Sequence, residues 1–242
     1  MALEAQLACL SGSAARERCS QLGLPTGSRA ACQKHLLAHF SEHPREVVRF
    51  RARTFPLALY RRALWILDNL PWDKVPKPSP SQRTVAGESI SLGRTCSSWG
   101  VSHDIIKKKY DPITRALMQV LWDTLHEIAG DFSFSTAHIN RNFCGAPHVD
   151  RNNVGLSMTF ALGEYLGGEL VPENENPRIL ACHDTHRRPV IFDGHRPHWV
   201  LPYKGIRYSI VLYTSKDGKS PSTDAASSSS GEGGAADCRG RD

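Results

Sequence analysis

Hydrophobic positions along the chain follow two periods, and the change between them falls near residue 130. From Pro112 to Ala129, Ile113, Leu117, Val120, Leu121, Leu125 and Ile128 recur at helical spacing. Asp111 stands where an N-cap belongs, Pro112 fits the first helical position and Gly130 supplies the stop. Such a helix has an apolar face that must lie on something. Beyond it, FSFSTAHINRNF, VGLSMTFALG, GGELV, RILAC, RPVIFD and IRYSIVLY are short runs rich in β-branched and aromatic residues, separated by Gly, Pro, Asn and Asp. Roughly six strands in this span imply an antiparallel sandwich or barrel with the preceding helices on its outside, an α+β arrangement.

Upstream, helix-like pieces lie near Ala14 to Leu22 and Ala30 to Phe40, and an arginine-rich segment leads into an apolar helix ending near Leu70. The Pro-rich stretch Val75 to Gln82 then breaks the chain. From Lys216 to Asp242 the sequence is almost entirely Ser, Gly, Ala and charge without an aromatic residue, so it cannot offset the entropy cost of ordering and reads as a disordered tail. The expected organisation is an N-terminal helical and basic extension (1–82), a main domain (83–215) with its β core at 132–214, and the tail (216–242).

Composition narrows the class. No run reaches the roughly 18 apolar residues of a membrane span, and the N-terminus lacks a signal-peptide pattern. The chain is therefore expected to be soluble and intracellular, cytoplasmic or nuclear. Its seven cysteines are odd in number, scattered and never in CxxC spacing, which speaks against a disulfide framework or zinc ribbon. A net charge of +6 tilts it toward anionic partners. Six arginines against one glutamate crowd Arg45 to Arg62; with no nucleic-acid motif alongside, they read as a solvated face or as carboxylate partners. Trp99, His103 and Lys107 to Lys109 read as a solvated loop with a buried Trp anchor.

Within the β region, His148 and Asp150 are two residues apart, and in extended chain both side chains fall on one face and can converge on an ion. Fifty residues later His195 and His198 offer a third ligand. Two histidines and a carboxylate on one side of a metal leave open positions, the arrangement suited to iron(II), O2 and a chelating co-substrate. His195, between Asp193 and Arg196, has the look of a surface turn, which favours His198. The cluster His183, Asp184, His186 reads as a loop between strands. Nine residues past His198, Arg207 opens an apolar strand, where a guanidinium is expensive unless it faces an anion, and Ser209 shares its face. Cys144 has no base at a useful spacing and is not read as a nucleophile.

Taken together, His148-Val149-Asp150, the Gly167-Gly168-Glu169-Leu170 turn, His198 and Arg207-Tyr208-Ser209 resemble the double-stranded β-helix (jelly-roll) core of the iron(II)- and 2-oxoglutarate-dependent dioxygenases, over roughly residues 132 to 214. The resemblance implies that His148, Asp150 and His198 ligate Fe(2+), that Arg207 with Ser209 binds the far carboxylate of 2-oxoglutarate, and that Asn140 or Asn142 contacts the co-substrate. It implies a reaction in which O2 and 2-oxoglutarate, with ascorbate as an optional reductant, drive hydroxylation or demethylation. The substrate is left open between an anionic macromolecular group, such as a protein side chain or nucleic-acid base, and a small metabolite. A non-catalytic jelly-roll that binds metal or acidic ligands, and a zinc hydrolase on the same fold, are the rival readings.

Overall fold

In the computed structural model, which describes residues 3–74, 84–85, 87–97, 100–102 and 104–216, the alternating runs become strands of two facing sheets. The first half holds α1 (Leu3–Ala8), α2 (Gly12–Gln21), α3 (Arg29–Glu42), β1 (Glu46–Arg51), α4 (Leu57–Asn69), a 3-10 turn (Trp72–Lys74), β2 (Thr84–Val85), β3 (Glu88–Gly93), β4 (Thr95–Ser97), β5 (Gly100–Ser102) and α5 (Pro112–Ala129). There follow β6 (Thr136–Arg141), β7 (Cys144–Gly145), β8 (Asn153–Leu162), β9 (Tyr165–Gly167), β10 (Leu170–Pro172) and β11 (Ile179–Asp184). The last strands are β12 (Val190–Phe192), β13 (His198–Val200), β14 (Tyr203–Gly205) and β15 (Tyr208–Ser215). The Pro-rich stretch, the tail beyond Lys216, Trp99 and His103 lie outside the described residues.

The major sheet has the order β12-β8-β15-β6-β3 and is antiparallel throughout. The minor sheet is β1-β11-β10-β13, antiparallel except for β1, which pairs with β11 in parallel. Helices α4 and α5 cover the outer face of the major sheet, which completes the expected α+β double-stranded β-helix.

Alternation along the strands explains where the core sits. Ala137 and Ile139 on β6, Met158, Phe160 and Leu162 on β8, and Tyr208, Ile210 and Leu212 on β15 pack with Ala63, Ile66 and Leu67 of α4 and Met118, Leu121 and Leu125 of α5. The intervening residues His138, Asn140, Thr159, Arg207 and Ser209 face the other sheet and line a cavity. The main core is thus between helices and sheet, and the space between the sheets is largely polar. Tyr208 adds a polar link, its hydroxyl donating 2.8 Å to Asp68 of α4, where burial and that carboxylate push the phenol up to about 12.

Helix α5 has the expected bounds and caps: the Asp111 carboxylate accepts from the Thr114 amide, Pro112 opens the helix and Gly130 ends it at φ 58°. The contact stripe differs from the expected one. Ile113 and Val120 are exposed, whereas Thr114, Met118, Leu121, Trp122, Leu125, Ile128 and Ala129 are buried, so the stripe is turned by about one position.

The arginine-rich segment is also different in kind. Its first half is β1, a strand that the sequence pattern does not announce, and four of its six arginines have carboxylate partners: Arg45 with Glu173, Arg49 with Glu169, Arg51 with Asp184 and Arg62 with Glu127. Helices α1 to α3 make a small core of their own from Leu7, Leu10, Ala15, Cys19, Cys32, Leu36 and Phe40, while α4 belongs to the main core. No helix of the described residues is long and apolar enough to cross a membrane.

Two glycines separate conformational strain from crowding. Both have positive φ, but an added Cβ at Gly130 meets nothing within 4 Å, whereas at Gly93 it would lie 2.4 Å from the Ser135 carbonyl and 2.6 Å from the Trp122 ring. Gly130→Ala should cost about 1–2 kcal/mol from left-handed backbone alone. Gly93→Ala should cost roughly 1–3 kcal/mol more through overpacking of β3 against α5. Denaturant midpoints of the two variants check this, and equal losses would mean that the Trp122 contact relaxes freely.

Candidate metal centre

Residues 146–150 are irregular except for one backbone bridge. The His148 and His198 amides each donate to the other's carbonyl at 3.0 Å, and the Asp150 amide donates 2.8 Å to Gly194. These bonds, made by main chain alone, bring the three side chains together without a regular strand at 148–150. Ligand atoms of His148, Asp150 and His198 lie within 4.8 Å of one another, and they are the one such group among the described residues.

Each imidazole is oriented by its other nitrogen. His148 Nδ1 is 2.7 Å from the Ala146 carbonyl and His198 Nδ1 is 2.9 Å from the Arg196 carbonyl. A carbonyl only accepts, so Nδ1 carries the proton and Nε2 presents its lone pair, the tautomer that a metal requires. The two Nε2 atoms stand 3.5 and 3.7 Å from the Asp150 carboxylate oxygens. For bonds of roughly 2.0–2.2 Å, adjacent ligands on an octahedron are roughly 3 Å apart, so a small inward adjustment suffices. Burial, and then His148 beside it, lower the pKa of His198, which favours the neutral ring.

Asp150 is held as firmly. Asn153 donates to its Oδ2 at 3.2 Å and to Ser157 at 3.0 Å. Gly194 leaves room for the carboxylate: a Cβ there would sit 3.1 Å from Oδ2. The donor set and this cradle fit a divalent cation of the first transition row, and two imidazoles with one carboxylate suit iron(II).

The triad forms one wall of a cavity of about 520 Å³ whose lining includes Arg207, Ser209 and Asn140. Arg207 is 2 % exposed. Its Nη2 reaches only the Gly168 carbonyl and the Thr185 hydroxyl, each at a long 3.4 Å, and its Nε has no partner. No carboxylate among the described residues pairs with it. The guanidinium lies over the Tyr165 and Tyr203 rings at 5.5 and 5.4 Å. Gly168, at φ 75°, allows this close approach, since a Cβ would sit 3.0 Å from Arg207 Nε.

The two asparagines separate. Asn140 lines the cavity and accepts from Ser89 at 2.6 Å. Asn142 is exposed at φ 53°, its side chain accepting from the Arg207 amide at 3.1 Å while its own amide donates 2.8 Å to the Arg207 carbonyl. It fixes the start of β15 and does not line the cavity.

His195 is exposed and bound to Asp193, away from the triad. His183 and Asp184, expected in a loop, are the last residues of β11; His183 stacks on Phe50 and His186 lies against Tyr165. Cys144 points its thiol toward the Val200 carbonyl.

Sequence reasoning did not single out His138, Thr159 or Thr185, which also line the cavity. His138 is hydrogen-bonded to Ser91 at 2.9 Å, and burial lowers its pKa. Its signal was available, because His138 and Asn140 share one face of β6 by alternation.

No family model matches the chain, and no curated protein matches it. Solved structures similar to it include an oxidoreductase of the 2OG-Fe(II) oxygenase family from Burkholderia pseudomallei, at 14% identity over 70% of this chain and 95% of that one, TM-score 0.43. NgTET1 in complex with 5mC DNA is similar at 12% identity over 76% of this chain and 89% of that one, TM-score 0.46. A bsmA homologue from Methylobium petroleophilum is similar at 12% identity over 66% and 83%, TM-score 0.42. The reading of the site rests on its own geometry.

Replacing His198 with Ala removes one of the three converging donor side chains, whereas His195→Ala touches only a surface turn. Even losing a hydrogen-bonded partner of a ligand typically costs about 10- to 100-fold in metal affinity, so His198→Ala should weaken Mn(II) binding by at least about 100-fold. His195→Ala should leave it unchanged. Calorimetric Mn(II) titration reads both, and equal loss in the two would overturn the choice of distal ligand.

Proposed function

We propose that the protein is an Fe(II)- and 2-oxoglutarate-dependent dioxygenase that hydroxylates or oxidatively demethylates its substrate. The observation that carries this reading is Arg207, a buried guanidinium without a carboxylate partner that faces the same cavity as the His148, Asp150 and His198 ligands. An unpaired buried cation is costly, and an anion bound in the cavity relieves that cost. A dicarboxylate answers both ends of the cavity: one end for a metal, the other for a cation.

His148, Asp150 and His198 would hold the iron. When bound, iron(II) supplies the O2 activation that couples decarboxylation of 2-oxoglutarate to oxidation of a C–H bond. The remaining work belongs to the chain. Arg207 receives the far carboxylate with Ser209 beside it, and the Tyr165 and Tyr203 rings keep the guanidinium in place. Leu170, Phe192 and Val200 give the cavity apolar wall next to His198, which excludes water from the reacting end. Thr159 is committed to the Ile210 carbonyl at 2.9 Å, so it shapes the cavity rather than offering a proton.

Arg151 and Asn152 are exposed residues of the cavity lining, and substrate entry is proposed beside them. Arg151 is exposed, and the net charge of +6 has the same sign; both favour an anionic substrate, macromolecular or small. The buried cation also weighs against a zinc hydrolase, which has no use for it. A binding module for acidic ligands is separated by turnover, since it forms no succinate. O2 and ascorbate enter as reactant and reductant of the proposed cycle, in an intracellular setting.

Succinate formation against 2-oxoglutarate concentration, with iron saturating, tests the assignment. Removing one member of a buried charge pair costs about 3 kcal/mol or more, so Arg207→Ala should raise the half-saturating 2-oxoglutarate concentration by about 100-fold or more. Arg207→Lys should recover only part, because an ammonium cannot reproduce the planar fork. Mn(II) affinity should stay near wild type in both. No succinate from the wild-type protein, or an unchanged half-saturation point in Arg207→Ala, would overturn the co-substrate reading.

A further inference from the structure

The three N-terminal helices have their own core, yet their polar links to the β domain converge on the two segments that carry the metal ligands. Glu173 follows β10. Its amide donates 2.8 Å to the Pro197 carbonyl, and Pro172 before it pairs with His198, so Glu173 extends the antiparallel β10–β13 pairing that presents His198. The Glu173 carboxylate is gripped from two sides. Arg18 of α2 lies 3.5 Å from Oε1, and Arg45, just before β1, lies 3.4 and 3.3 Å from its two oxygens.

All three side chains are nearly dry, at 12 % exposed for Arg18, 6 % for Arg45 and 9 % for Glu173. Both arginines make further contacts. Arg45 Nη2 donates 2.7 Å to Gln6 of α1 and its guanidinium lies over the Phe40 ring of α3 at 5.0 Å, while Arg18 donates to the Asn174 and Glu175 carbonyls. A second link reaches the other ligand segment: the Cys9 thiol is 2.7 Å from the carbonyl of Pro147, a buried residue next to His148. A buried charge cluster of this kind adds little net stability compared with apolar packing, so its value lies in fixing one arrangement of the segments it joins.

Resting on the metal reading above, we propose that α1 to α3 act as a clamp on the metal centre, with Arg18, Arg45 and Glu173 as positioning residues that hold the β10–β13 strand pair and with it the His148–His198 bridge. None of the three touches the cavity; they act through the backbone of His198. The clamp sets how closely the ligands converge before metal arrives. Arg207 directly precedes β15 of the other sheet, so co-substrate recognition is not the clamp's target.

The test compares full-length wild type, Glu173→Gln, Arg18→Lys and, as a control with a destabilised core remote from the clamp, Leu125→Ala, each shown to be folded by circular dichroism. Partners of ligands tune affinity about 10- to 100-fold, so Glu173→Gln should weaken Mn(II) binding by about 10-fold and Arg18→Lys by less, while Leu125→Ala binds like wild type. With Mn(II) saturating, binding of 2-oxoglutarate should be the same in all four. Mn(II) affinity in folded Glu173→Gln within twofold of wild type would overturn the clamp, as would an equal loss in Leu125→Ala. Where Glu173→Gln does not fold, Arg18→Lys is judged by the same criteria. A wild-type protein that binds no Mn(II) overturns the metal reading and the clamp together.

Discussion

The major sheet has one dry face and one polar face, and the rest of the structure follows from that division. Period-two alternation on β6, β8 and β15 sends Ile139, Phe160 and Ile210 outward to α4 and α5 and sends Asn140, Thr159 and Ser209 inward. A sandwich usually buries its apolar residues between its sheets. Here that role passes to the helices, which leaves the space between the sheets free to hold polar groups and a cavity. At roughly 25 cal/mol per Å² of apolar surface, the helix-covered face is where most hydrophobic stabilisation accrues.

The inner face then has to satisfy its polar groups, and it does so unevenly. Ser89 with Asn140, Ser91 with His138 and Asn153 with Asp150 and Ser157 are paired. Arg207 Nε is not. The distinction matters because a fully paired polar interior rigidifies, whereas an unpaired charge is an unmet demand. The cavity therefore has fixed walls and a strong attraction for an anion at Arg207, on the same cavity as the converging donor atoms of His148, Asp150 and His198.

Much of this was legible in the sequence, for identifiable reasons. Helix α5 carries its own caps in Asp111, Pro112 and Gly130, so its bounds follow from local chemistry. Arg207 and Ser209 share a face because a strand leaves them no choice. What escaped depends on tertiary partners. β1 is an edge strand, exposed along almost all its length, so no hydrophobic period marks it, and it forms because β11 offers a parallel partner. The convergence of His148 and Asp150 was expected from extended chain but comes from the bridge to His198 and the bond to Gly194, which link residues about fifty positions apart. Asn140 and Asn142 could not be ranked because the positive φ that turns Asn142 out of the cavity arises where β6 ends beside Arg207.

A site built this way resists folding more than it assists it. Arg207 is desolvated without a counter-charge among the described residues, and the Asp150 carboxylate faces two imidazole lone pairs, acceptors that cannot hydrogen-bond to it. The penalty is tolerated because the helix-covered core lies on the other face of the major sheet and does not depend on it. Filling the cavity reverses its sign: a cation between the ligands and a carboxylate at Arg207 convert unmet demands into bonds that exist only in the folded protein. Any ligand that binds the native state alone stabilises it by RT ln(1 + [L]/Kd), about 2.7 kcal/mol at one hundred times Kd. The same residues whose polar groups are costly to bury would therefore couple ligand binding to stability, through two separate walls, the His148, Asp150 and His198 side chains on one and Arg207 on the other.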